Sequence, residues 1–98
     1  MQNNITFERT FSAEKYERTV NGMRSWLASL ARKRVGGTVT ADDAHTYLDR
    51  EGVSRKHVRA RLSFINSVLR PGNFDYAGVT PSTRPAARRR LINEWTIR

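Results

Sequence analysis

Four cations crowd the segment SRKHVRAR. Arg55, Lys56, Arg59 and Arg61 follow Ser54, and no acid occurs between Glu51 and Asp75. The chemistry open to such a set is the recognition of anions. Arginine presents a planar fork that bonds two acceptors at once, either N7 and O6 of guanine or two oxygens of a phosphate. Ser63 and Asn66, further along the same segment, add neutral groups able to bond to bases or to phosphates. A second basic group lies in PSTRPAARRR, where Arg84 precedes Arg88, Arg89 and Arg90.

Catalytic chemistry finds no comparable set. The chain has no cysteine, which removes disulfides and thiolate metal sites and fits a reducing compartment. Asp42, Asp43 and His45 could suggest a metal cluster, but adjacent aspartates on a helix point to different sides, and capping is the favoured account. There is no phosphate-binding loop, no metal-ligand spacing and no nucleophile with an evident base. The expectation is a protein that is not an enzyme and needs no cofactor or metal.

Composition agrees with an anionic partner. The 98 residues carry a net charge of +9 with 38% hydrophobic residues and a mean hydropathy of −0.66, enough apolar material for one small core under a large polar surface. Such a charge attracts nucleic acid or an anionic membrane surface. Residues 38–53 hold four acids against one cation, whereas 54–70 hold five cations and no acid. The sign reverses across Gly52, as if a supporting segment preceded a recognising one. Apolar runs fall far short of the ~18 residues of a membrane span, and the N-terminus lacks the apolar core of a signal peptide. A cytoplasmic, DNA-associated chain without a membrane partner is expected.

The elements that must carry these residues follow from periodicity. Residues 1–11 read as an arm that is loose or packs through Phe7 and Phe11, and 12–98 as a single domain. Ser12 offers a cap for a helix over 12–34, whose stripe is Tyr16, Val20, Met23, Leu27 and Leu30. Gly36 and Gly37 stop it, and Thr38 and Val39 allow only a very short strand. Thr40 caps a helix over 41–51, with Asp43 closing a capping interaction, and Gly52 suits the left-handed position after it. Val53 can plug the turn. Ser54 then caps a helix over 55–69 that buries Val58, Leu62, Ile65 and Leu69, leaving Lys56, Arg59, Ser63 and Ser67 on or near the opposite side. Beyond Pro71 the pattern turns to strands, FDYAGVT and LINEWTI, which form a hairpin over 74–97 with the basic run as its loop. Trp26 and Trp95 are expected in the core, Phe64 against the first helix or the hairpin, and Phe74 and Tyr76 over the sheet against the third helix.

The order TVTADDAHTYLDREGV, SRKHVRARLSFINSVL, FDYAGVTPSTRPAARRRLINEWTI resembles the winged helix-turn-helix family over residues 38–98, and is similar to small phage-encoded members of it. The resemblance implies an α+β, mainly α, fold in which 55–69 is a recognition helix lying in the major groove and 74–97 is the wing. It also implies that Arg55, Lys56, Arg59, Ser63 and Asn66 face base edges or nearby phosphates, with Arg61 in the same basic half. Ser82, Thr83, Arg84, Arg88, Arg89 and Arg90 would line the wing. On this reading the chain binds double-stranded DNA and regulates transcription or another DNA transaction by occupancy. Whether it acts as a monomer or as a homodimer through the 12–34 helix stays open. The rival readings are a protein-interaction module docking on a transcription, polymerase or replication complex, a binder of RNA or single strands, and an enzyme subunit, whose sign would be metal-dependent cleavage lost on replacing Asp42 or Asp43.

Overall fold

The computed structural model describes residues 12–98; the expected arm over 1–11, with Phe7 and Phe11, lies outside the described residues. The first helix, α1, spans Ala13–Lys33. Its first turn is closed by Ser12, whose side chain accepts the amide of Lys15 at 3.0 Å, and Glu14 adds a charge favourable to the helix dipole. It buries Thr19, Val20, Met23, Leu27 and Ala31, whereas Tyr16 and Leu30 are half-buried. Gly36 and Gly37 both take positive φ, at 92° and 67°, and turn the chain into the strand β1, Thr38–Thr40. Gly22 serves packing. The Tyr47 side chain of the second helix occupies the space that a Cβ there would need, so the missing side chain lets the two helices approach.

The second helix, α2, spans Ala41–Arg50. Thr40 and Asp43 form the expected capping box, with the Thr40 amide donating to the Asp43 carboxylate at 2.9 Å. Asp43 also receives both guanidinium nitrogens of Arg34, at 2.8 and 2.7 Å, and so ties the end of α1 to the start of α2. Gly52, at φ 77°, reverses the chain, and Val53 is buried in the turn as expected.

The third helix, α3, spans Val58–Val68 and begins three residues later than the expected start at 55. Ser54 does not cap it. Its hydroxyl accepts the Lys56 amide at 3.2 Å and its carbonyl accepts the His57 amide at 3.1 Å, which closes a separate tight turn. The strands β2, Phe74–Pro81, and β3, Leu91–Ile97, form the hairpin, joined through a short 3₁₀ turn at Pro85–Ala87. The sheet order is β1-β3-β2, antiparallel throughout, with an irregularity between Tyr76 and Gly78. The described residues thus form a small, mainly helical α+β domain of three helices and a three-stranded sheet. Among them, no helix is long and apolar enough to cross a membrane.

Met23, Leu27, Val39, Leu48, Phe64, Val68 and Phe74 form the centre of the core, with Trp95 of β3 at its edge. Trp26 is half-buried beside Tyr47, with Arg50 over its ring at 5.6 Å. Phe64 packs on α1, stacked on Tyr16 with ring centroids 4.8 Å apart. Tyr76 departs from expectation: it meets Trp95 edge-on but is exposed.

The larger departure is the rotation of α3. Its buried residues are Ala60, Arg61, Phe64, Ile65 and Val68, whereas Val58 and Leu62, expected in the core, are 59% and 49% exposed. The expected stripe of Val58, Leu62, Ile65 and Leu69 competes with a second series, Ala60, Phe64 and Val68; Ile65 and Leu69 are buried as expected, whereas Val58 and Leu62 are not. An aromatic ring buries more apolar area than a valine or leucine, and Phe64 finds Tyr16 to stack on, so the second series turns inward. Ser63 and Ser67 consequently face α1, where the Tyr16 hydroxyl lies 3.0 and 2.8 Å from their hydroxyls.

Candidate nucleic-acid interface

Arg61 was expected on the basic outer face, and the structure corrects that placement. It is 3% exposed and holds α2, the turn and α3 together. Nε donates to the Ser54 carbonyl at 3.3 Å, Nη2 to the Val53 carbonyl at 2.6 Å and to Asp49 at 2.5 Å, and Nη1 contacts Nδ1 of His45 at 3.1 Å. A buried guanidinium persists only when its donors are matched in this way. Because Nδ1 of His45 accepts, that nitrogen carries no proton. Burial first, then the charges of Arg84 and Arg61, pull the His45 pKa down to about 4. Asp49 also receives Arg55 at 2.9 Å; the hydrogen bonds from Arg55 and Arg61 lower its pKa to about 2. Asp49 therefore acts as an internal clasp.

The hairpin is fastened to the same support. Asp42 at the start of α2 accepts the Ser82 hydroxyl at 2.7 Å with one oxygen, and the Thr83 amide at 2.7 Å and hydroxyl at 3.2 Å with the other. Ser82 is 1% exposed and its amide bonds the Arg90 carbonyl at 2.7 Å, closing the base of the loop. Ser82 is thus removed from the expected contact set, and Thr83, though exposed, is committed to Asp42. Ser63 is half-buried, with its hydroxyl 3.0 Å from that of Tyr16. A cleft of about 370 Å³ separates α2 from the hairpin loop, with His45, Asp49, Arg55, Thr83 and Arg84 among its walls.

The remaining expected residues stay accessible. Lys56, Arg59 and Asn66 are exposed, as are Arg88, Arg89 and Arg90 at the hairpin loop, while Arg84 is half-buried on the cleft wall. Among the described residues, the side chains of Lys56, Arg59, Arg88, Arg89 and Arg90 have no hydrogen-bond or ion-pair partner. Arg55 is exposed but paired with Asp49. Arg88 and Arg89 sit at φ 49° and 62°, in the left-handed region where glycine is the inexpensive choice. Two consecutive exposed arginines there are held at the expense of backbone strain, a pattern that collects at functional sites.

No protein-family model, curated protein or solved structure matches the chain.

Sequence reasoning missed the positioning roles of His45, Asp42 and Asp49, and it missed Val58 and Leu62 as surface residues. Only the last had a signal in the sequence, namely the competing series Ala60, Phe64, Val68.

Proposed function

We propose that the chain is a winged helix-turn-helix domain that binds double-stranded DNA and regulates transcription or another DNA transaction by occupancy. The reading rests above all on the unpaired cations Lys56 in the turn before α3, Arg59 on α3, and Arg88, Arg89 and Arg90 on the hairpin loop, with α3 and the hairpin both clasped to α2. With side chains, α3 is ~10–12 Å across and matches a major groove ~12 Å wide. Its first turn holds no acid to oppose a phosphate at the positive end of the helix dipole. The wing would lie on the backbone or the minor groove, with Arg84 and Arg88 to Arg90 as its cations. Arg59, Asn66 and Lys56 would work in the major groove.

The test is duplex binding by fluorescence anisotropy as a function of salt. If the five unpaired cations each neutralise a phosphate, log K falls against log salt with a slope of about −4 to −5, a loss of a few hundredfold between ~50 and ~200 mM. Where they instead reach bases, the slope is shallower and specificity carries the difference. R59A is expected to weaken binding by about 1–3 kcal/mol and to alter sequence preference, whereas R89A lowers affinity for all sequences alike. Absence of duplex binding at low salt refutes the proposal.

A further inference from the structure

From the exposed face of α3, we infer that Val58 and Leu62 read the 5-methyl groups of thymines in the bound duplex. The inference deepens the DNA-binding proposal and rests on it. Val58, Leu62 and Asn66 follow one another at i, i+4 and i+8, all exposed, with Arg59 beside them on the same side of the helix. About half of Leu62 and rather more of Val58 is open, on a helix that buries Ala60, Phe64, Ile65 and Val68. Arg59 shares this side of the helix, Lys56 precedes it in the adjoining turn, and Asn66 borders Leu69, Leu91, Ile92 and Trp95 in a cleft at the far end. Apolar contact with the thymine methyl is a regular way of reading the major groove. The surrounding charge argues for nucleic acid as the occupant over an apolar protein surface, which would have to desolvate those cations.

The spacing makes the inference specific. Four residues of helix rise ~6 Å, and successive base pairs are ~3.4 Å apart, so the two contacts fall on thymines about one to three base pairs apart on either strand. Asn66, one turn further, is placed to pair with an adenine.

The experiment starts from a pool of random duplexes, selected for binding at a fixed salt concentration. The best duplex is then remade with deoxyuridine replacing each thymine in turn, which deletes only the methyl. Wild-type protein should lose about fourfold in affinity at one or two neighbouring positions, equal to about 0.8 kcal/mol per methyl. V58A and L62A should each abolish the sensitivity at one position. Both side chains are largely outside the core, so the variants keep the fold, which a melting curve verifies. If the duplex is bound with a defined sequence preference but no thymine is sensitive, or if sensitivity survives in both variants, the methyl assignment falls and DNA binding stands. If no duplex is bound, both fall together. A third outcome also overturns the assignment: L62A leaves duplex affinity untouched while changing the sedimentation of the protein, which would make the stripe a protein interface.

Discussion

Replacing Arg61 by methionine separates the interior of this domain from its surface. The change leaves the carbonyls of Val53 and Ser54 and Nδ1 of His45 without their donor, and Asp49 with Arg55 alone. Breaking one side of a buried ion pair costs about 3–5 kcal/mol. Asp49 keeps one partner and about a third of its side chain is exposed, which places R61M near the lower end, at about 3 kcal/mol. For a chain of this size that is a fall in Tm of roughly 12–24 °C. Urea unfolding followed by tryptophan fluorescence at neutral pH measures it directly. Duplex affinity of the folded fraction at low temperature should stay within about threefold of wild type, since the side chain does not reach the surface. If R61M melts within about 1 kcal/mol of wild type while duplex binding disappears, Arg61 is a contact residue and the assignment of its role is wrong.

Two other perturbations follow from the same clasps. His45 is depressed to about 4 from an ordinary value of 6.5, and Asp49 to about 2 from 3.8. Stability contributed by neutral His45 is complete above pH 6.5 and drains away as pH falls toward 4; that from ionised Asp49 is lost between 3.8 and 2. Tm measured against pH should therefore decline in two stages on acidification, and H45Q, which cannot gain the proton, should flatten the first; a Tm that rises between pH 6.5 and 4 contradicts the assignment. D42A unfastens the hairpin from α2, with an expected loss of about 1.5–3 kcal/mol in stability and a drop in duplex affinity that leaves the base preference of α3 unchanged. Thermal melting and selection from random duplexes would check both parts.

Much of the architecture is local and was legible for that reason. Ser12, the Thr40 and Asp43 capping box, the glycines at 36, 37 and 52 and the strand segments act through neighbours a few residues away, so their identities alone place the ends of α1 and α2 and the hairpin. The start of α3 was less legible, because Ser54 can bond either the first turn of a helix or the tight turn that it closes. Three of the expected contact residues changed place for a nonlocal reason. Arg61 was drawn inward by Asp49, His45 and two carbonyls, Ser63 by Tyr16 from forty-seven positions away, and Ser82 by Asp42 from forty.

The sequence by itself determined a small helical domain with a basic third helix and a basic hairpin loop, because propensity, capping and net charge are properties of short segments. Tertiary packing alone decided which side of that helix faces outward. Periodicity permits two apolar series on α3, and the rotation that buries Ala60 and Phe64 in place of Val58 and Leu62 depends on the Tyr16 ring, the Asp49 carboxylate and the His45 nitrogen, which only the folded chain brings beside it.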